Sequence, residues 1–485
     1  MAAPRPPVFP DRAFSIVQYG ASGDGQTSNT AAFARAIQAC TQSGGGRVVV
    51  PRGIWLTGPI TLASNVDLHL ESGAVILFSR RLQDYAAGEG PARRVLSPIT
   101  AAGLENIAIT GQGIIDGSGG AWLPVKKSRM TAAQWKALLA SGGGLNQAGD
   151  VWYPSLEALT PGSLESMRPH MVQLTACRRV LLDGPTFQNS PNWNIRPLLS
   201  EDVVIRNVTV LNPWYSQNGD GLDIDACRRV VVYNARFDVG DDAICLKSGA
   251  GEAARRGGRA AEDIVISNCT VYHGHGGVTV GSEMSGGIRH VYVDNCVFLG
   301  TDQGLRFKST RGRGGVVENL WSNNVSMRGI PADAIGFTMS YGGEAPTAAV
   351  PVDVSTPRFR NIRFRNIVCA GARRAVRLEG LPEMPVENIE FDGLTVSAQT
   401  GFAAVHVAGV RVANARILPA SGSVFRIIDS TSVTIERSPA PPGAEVFVTL
   451  AGPRTAGVRL TDSSAAAAAQ DVVFERGATP AALVR

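Results

Sequence analysis

Two acids sit side by side in "VGDDAICLKS", residues 239–248, at the start of a short apolar strand. Adjacent carboxylates repel and raise one another's pKa, so Asp241 and Asp242 form either a solvated turn or a site that works with shared or shifted protons. Three more polar clusters lie close by in the chain: "NGDGLDID" (218–225), "HGHGG" (273–277) and "GLRFKSTRGR" (304–313). Each has an ordinary explanation when taken alone. The Asn218 to Gly221 stretch has the composition of a turn, His275 between glycines that of a surface histidine, and the Arg306 to Arg313 stretch that of a solvated basic edge. Together they would be acids, a histidine and cations suited to proton transfer on an anionic polymer. That requires a fold that puts them in one register.

Internal repetition supplies such a fold. Aligned on one apolar position, the chain reads "ENIAITG" at Ile107, "RRVLLDG" at Val180, "EDVVIRN" at Val203, "RRVVVYN" at Val230 and "EDIVISN" at Ile264. It continues with "RHVYVDN" at Val291, "ENLWSNN" at Leu320, "RNIRFRN" at Ile362 and "ENIEFDG" at Ile389. Four residues after each anchor stands Asn or Gly: Asn207, Asn234, Asn268, Asn295, Asn324 and Asn366, with Gly111, Gly184 and Gly393 at the others. From Val180 to Ile389 the anchors advance by 23, 27, 34, 27, 29, 42 and 27 residues. Each unit has an alternating strand with one apolar face, a residue suited to left-handed backbone, and a second short strand such as "VTVLN". A single unit cannot bury its apolar face, but stacked units share one core and let the asparagines bond in a ladder. The internal period of two excludes helical repeats, and the spacing falls short of a propeller blade. The expected fold is all-β, a right-handed single-stranded parallel β-helix. In it Asp220 and Asp241, 21 residues apart, stand about one coil apart, roughly 4.8 Å along the axis. Asp242 reaches the same side only if Gly240 breaks the strand.

Composition agrees. The chain has 485 residues, 44% hydrophobic and 18% charged, with 55 Gly, enough for a large core of short strands and turns. Seven cysteines without a CxxC pair give neither a disulfide framework nor a zinc site. Cys227, Cys245, Cys269 and Cys296 recur near the coil spacing and read as small apolar filler. The net charge of +5 is mild. No apolar run is long enough for a membrane span, and "MAAPRPPVFPDRAF" lacks the apolar centre of a signal peptide, so the start reads as soluble or already trimmed.

No linker demands a second domain, and residues 1–485 read as one solenoid. Residues 15–60 hold the N-terminal cap and first coils, with an amphipathic helix over "NTAAFARAIQACTQSGG" (29–45) stopped by Gly44 to Gly46. Residues 121–170 interrupt the repeat with a helix-bearing insertion, expected as a wall beside a cleft. Residues 440–485 are expected to form a C-terminal cap.

The ordered segments N-x-D-G (Asn218 to Gly221), GDD (240–242), GHG (274–276) and R-x-K (Arg306 to Lys308) resemble the four signature segments of the polygalacturonase family, glycoside hydrolase family 28. The likeness runs from "YGASGDG" near the start to Tyr341, and "GLRFKS" and "GSEMSGG" are most similar to bacterial exo-acting members. The resemblance implies a pectin-lyase-like solenoid and inverting hydrolysis of α-1,4-linked galacturonic acid, with no metal or cofactor. It implies Asp241 as general acid, Asp220 and Asp242 as the pair that holds and deprotonates the attacking water, and His275 as a group that tunes the acid. Arg306 and Lys308, alternating on one strand face, would bind the sugar carboxylate, with Asn218 and Tyr341 also on substrate. An inverting hydrolase needs one protonated and one ionised carboxyl about the anomeric carbon, and clustered acids supply both states. Gly219 departs from the family's usual Thr. A further departure is the additional stretch "GAGEAARRGGR" between GDD and GHG.

Exo action is expected if the insertion closes one end of the cleft. The alternatives are an endo-polygalacturonase, or a rhamnogalacturonan or xylogalacturonan hydrolase of the same family. More distant are a calcium-dependent pectate lyase with the three acids as oxygen ligands, and a non-catalytic polysaccharide-binding solenoid. Lys126, Lys127, Arg311 and Arg313 add positive charge suited to an anionic polymer. The expected partner is polygalacturonate or pectin, with no nucleic acid and no membrane. The protein is expected to be a monomer, secreted or periplasmic because pectin lies outside the cytoplasm.

Overall fold

A computed structural model describes the protein over residues 3–88 and 94–484. Its chain divides between Ile244 and Cys245 into two compact units. No helix among the described residues is long and apolar enough to cross a membrane.

In the N-terminal unit the aligned anchors stack in register. Val66 pairs with Ile107, Ile107 with Val180, Val180 with Val203 and Val203 with Val230, all in parallel strands. Parallel strands joined this way wind right-handedly, and each unit is a parallel β-helix, as the repeat predicts. Val180, Val203, Val230 and their strand-mates Leu182, Ile205 and Val232 are buried on the inner face. Full burial of each such side chain contributes about 1.5–3 kcal/mol. Helix α1 (Thr30–Gln42) buries Ala32, Phe33, Ala36, Ile37 and Cys40, a helical spacing, against the first strands. Its end falls at Gln42, just before Gly44, whose φ of 85° only glycine adopts readily.

The insertion has a core of its own. Helix α2 (Ala132–Ala140) starts with a capping box between Thr131 and Gln134. Short antiparallel strands Val125–Lys126, Gly144–Leu145 and Val151–Tyr153 lie beside it. Val125, Trp135 and Trp152 are buried together, with Met130, Leu138 and Tyr215 packed on them. Tyr215 belongs to the solenoid, three residues before Asn218, so it joins the insertion to the coil that carries Asp220.

In the C-terminal unit Ile264, Val291, Leu320, Ile362 and Ile389 stack likewise, and the column continues through Val410 and Val433. Residues 440–484 add parallel strands Ala444–Ala451, Val458–Thr461 and Ala468–Glu475. Phenylalanines stack inside: Phe307 lies 4.1 Å from Phe337 and Phe364 4.9 Å from Phe391 by ring centroid. The stretch of additional residues before the GHG segment folds partly as a short helix, Gly251–Gly257.

The asparagine corners behave as the sequence predicts. Asn207, Asn234, Asn268, Asn295, Asn324 and Asn366 all have φ between 51° and 57°. Asn234 donates to Asn207 (2.7 Å), Asn295 to Asn268 (2.6 Å) and Asn366 to Asn324 (3.1 Å). A second left-handed column was not foreseen. It is the residue just before each anchor: Asn106, Arg179, Asp202, Arg229, Asp263, His290, Asn319, Asn361 and Asn388. Cross-coil bonds hold it, such as Arg179 Nε to Asn106 Oδ1 (2.7 Å) and Arg229 Nε to Asp202 Oδ1 (2.7 Å).

Candidate active site

The acids meet because two successive coils leave their strands at the same level. Thr209–Leu211 and Arg236–Asp238 pair in parallel, with Leu211 opposite Asp238. Each then breaks into a connection, the first carrying Asn218 to Asp220 and the second Gly240 to Asp242. The backbone from Gly240 to Asp242 is therefore a bend and not a strand, which is the condition for both acids to serve one site. Gly240 permits it: a Cβ there would lie 2.5 Å from Pro213 O and from Ser216 Oγ of the neighbouring connection. Gly219 is required in the same way, because any Cβ would collide with the Ser216 hydroxyl. The departure at this position thus has a local cause.

Asp220 is 3% exposed and Asp242 0%, and their carboxylate oxygens lie within 4.8 Å of one another. Two buried carboxylates this close favour a shared proton or a bound water over two bare charges. Asp241 is half-buried. Its Oδ1 accepts the N–H of Asp242 (2.9 Å) and its Oδ2 the N–H of Asn218 (3.3 Å). The connections are tied by backbone as well: Asp220 O accepts from Asn194 N–H (2.9 Å) and Asp242 O from Gly221 N–H (3.0 Å). Asn218 is exposed, in left-handed conformation with φ 53°.

Arg168 belongs to this group and was missed from the sequence. Its Nη1 donates to Gln217 O (2.8 Å) and Pro191 O (3.3 Å), and its Nη2 to Asn218 Oδ1 (3.0 Å). Burial pulls the guanidinium pKa down, opposed by the nearby carboxylate of Asp220. No motif marks Arg168, which lies in the insertion 50 residues before Asn218. Beside the acids, Arg196 pairs with Asp225 (2.7 Å) and covers the Trp193 ring, which stacks on His170 at 4.7 Å.

In the C-terminal unit, Arg306 and Lys308 lie on strand Gln303–Lys308, where Leu305 and Phe307 face inward. The alternation sends both cations to the other face. There the Tyr341 ring collects them, with Lys308 Nζ 4.8 Å and Arg306 Cζ 5.6 Å from its centroid. Tyr341 N–H bonds to Ser309 O (2.9 Å), which fixes the ring over the strand. Lys308 is only 5% exposed. Burial raises the Glu283 carboxyl, but Lys247 at 3.1 Å and then Lys308 outweigh it and hold it below its ordinary value. His275 sits on the turn into strand Gly276–Gly281, its Nε2 3.8 Å from Asp302. Arg311 is not offered to a polymer: it makes two 2.8 Å bonds to Glu383 and one to Ala348 O. Arg313 reaches Glu283 at 4.0 Å, and Lys126 and Lys127 lie exposed in the insertion.

All seven cysteines are buried and none is in a disulfide, Cys227, Cys245, Cys269 and Cys296 among them.

Residues 124–415 match the glycosyl hydrolases family 28. A probable polygalacturonase of Vitis vinifera is 31% identical over 397 residues, spanning 79% of this chain and 74% of that protein. An exo-poly-alpha-D-galacturonosidase of Dickeya chrysanthemi is 30% identical over 76% of this chain and 64% of its own length. The structure of a hyperthermoactive exopolygalacturonase from Thermotoga maritima matches with a TM-score of 0.64 at 26% identity, over 98% of this chain and 94% of that one. Since the family match takes in the connections with all three acids and the strand with both cations, the chain belongs to glycoside hydrolase family 28.

Proposed function

We propose that the protein hydrolyses α-1,4-galacturonosyl linkages of polygalacturonate by single displacement with inversion, releasing product from a chain end. The observation that carries this reading is the pair Asp220 and Asp242, buried with oxygens within 4.8 Å, beside a third carboxyl of different exposure, Asp241. Asp241 gives its proton to the glycosidic oxygen as the bond to the anomeric carbon breaks. Asp220 and Asp242 hold a water between them, and one of them takes its proton as the oxygen attacks. Desolvation and mutual repulsion set clustered carboxyls to different protonation states, which an acid and a base about one anomeric carbon require, and the division of roles among the three follows the family resemblance. Arg306 and Lys308 take the uronate carboxylate as charge-assisted partners, with Tyr341 and Asn218 on the sugar, and His275 tunes the acid. The insertion, with its own tryptophan core, supports exo action as a wall, in line with the exo-acting relatives. A monomer, acting outside the cytoplasm where pectin lies, completes the reading.

The test is product analysis on polygalacturonate with and without chelator. Release of reducing ends as monomer or dimer from the earliest times, unaffected by chelator, is expected. An early ladder of mixed oligomers would reject exo action, and ultraviolet-absorbing unsaturated product would point to a lyase.

A further inference from the structure

We propose that Arg168 is a positioning residue for this hydrolysis: carried by the insertion, its guanidinium clamps the Gln217–Asn218 turn and so sets Asp220 against Asp242. The inference rests on the functional reading above. The turn lies outside any strand, and several of its bonds are local: Ser216 N–H and Oγ–H on Pro213 O, Gly219 N–H on Ser216 O (3.3 Å), and Asn212 Nδ2 on Gly219 O (3.0 Å). Arg168 adds bonds from a different segment. One guanidinium nitrogen binds carbonyls of two successive connections, Pro191 O and Gln217 O, and the other binds Asn218 Oδ1. Arg168 is fixed in return, since its own carbonyl accepts from Asn192 Nδ2 (3.2 Å). The planar fork matches this set of acceptors, and the single ammonium of a lysine cannot. The same clamp fixes Asn218, whose N–H meets Asp241 Oδ2, so one side chain bears on the settings of two acids. The charge of Asp220 helps hold the guanidinium ionised against its burial, which places the two groups in electrostatic reach. A chain segment outside the repeat thereby contributes to the alignment of acids that the repeat alone leaves on a glycine-bearing loop.

The experiment uses the full chain, with Arg168→Ala and Arg168→Lys compared on polygalacturonate. Misplacing a reacting group by about an ångström costs up to ~100-fold, so Arg168→Ala is expected to lose roughly 10- to 100-fold in kcat with KM changed by less than about threefold. Arg168→Lys keeps the charge and loses the fork, and is expected to recover only part of the rate. Added guanidinium ion at millimolar concentration is expected to raise the rate of Arg168→Ala and to leave Arg168→Lys unchanged. A purely structural residue would show a lowered melting temperature and no rescue, which overturns the proposal. Wild-type kcat in either variant, or a loss carried by KM alone, overturns it too. If the alanine variant fails to fold, the lysine variant decides by the same kcat criterion. A wild-type chain that releases no reducing ends rejects the functional reading itself, whereas an active wild type beside an unimpaired Arg168→Ala rejects this inference alone.

Discussion

Asp242 donates its backbone N–H to the carboxylate of its own predecessor, Asp241, at 2.9 Å. Consecutive acids are thus set apart by geometry: one side chain caps the bend on which the other is buried. Asp241→Asn keeps an oxygen to accept that N–H but has no acidic proton to give. It is expected to fold normally and to lose about 10²–10⁴-fold in kcat, measured as reducing ends, while still binding oligogalacturonate by calorimetry. Retention of more than about a tenth of the rate would remove Asp241 from the role of acid.

The connection around Gly219 is expected to show strong coupling between two small residues. Gly219→Thr places a side chain against the Ser216 hydroxyl and is expected to lower both activity and thermal stability. Adding Ser216→Gly should recover part of both. A double-mutant cycle measures this, and coupling energies of contacting residues run to about 0.5–3 kcal/mol. Strict additivity would show that the contact is unimportant.

Lys308 and Arg306 share the Tyr341 ring. Lys308→Met is expected to raise KM about tenfold or more, the size of one lost charge-assisted bond of roughly 1.5–3 kcal/mol. Raising salt should weaken the wild type more than this variant, because the variant has already lost one of the charges being screened. Equal salt dependence of the two chains would argue that Lys308 is not on substrate.

The tryptophan core of the insertion can be loosened without touching the acids. Trp135→Ala is expected to destabilise the segment from Val125 to Trp152 by about 3–5 kcal/mol. Hydrogen exchange should report faster opening there, with the strands of the repeat unchanged. If the insertion is the wall that enforces exo action, early products of this variant should include longer oligomers. Unaltered products from a demonstrably loosened insertion would exclude that role.

The buried thiols link stability to alkaline pH. Burial pushes Cys369 up to about 12, from an ordinary value of 9.0. A raised folded pKa means that the folded protein holds this proton more tightly than the unfolded chain. The resulting stability is complete below about pH 9 and is lost as pH rises towards 12. Cys369→Val, which matches its rung-mate Val396, removes this dependence. Its melting temperature should therefore fall less than that of the wild type between about pH 8 and pH 10.5. Parallel declines would show that the thiol titrates no differently when folded.

The repeat was legible because its signal is chemical as well as periodic. Anchors such as Val203 and Ile362 mark the inner face, and Asn207 and Asn366 are residues that tolerate the left-handed corner. The second left-handed column was visible only as an unexplained polar pair before each anchor. Arg179, Asp202 and His290 have no common backbone preference, and what holds them is contact between coils, which a single sequence does not display. The coils at Val410 and Val433 escaped alignment because the small Gly409 and Ser432 replace the large polar or charged residue seen elsewhere, and Arg437 stands where other corners have Asn or Gly. At the site, the acids and cations could be found by composition and register. Arg168 could not, since it lies in the non-repeating insertion and acts on carbonyls, which any sequence possesses. Arg311 misled in the opposite sense, because its partner Glu383 is 72 residues away.

From the residue before each anchor to the corner four places after it, every coil keeps the same length, as from Arg179 to Gly184 or from Asn388 to Gly393. From Val180 to Ile389 the coil spacing still ranges from 23 to 42 residues, and from Ile107 to Val180, across the insertion, it is 73. All variation in length is therefore confined to stretches outside that frame, among them the connections that carry Asp220 and Asp242 and the insertion that carries Arg168. Heredity can lengthen, shorten or exchange those stretches while the stack assembles as before. The frame that stacks the coils and the connections that carry the acids are separate parts of each turn, so the connections can change without a change of architecture.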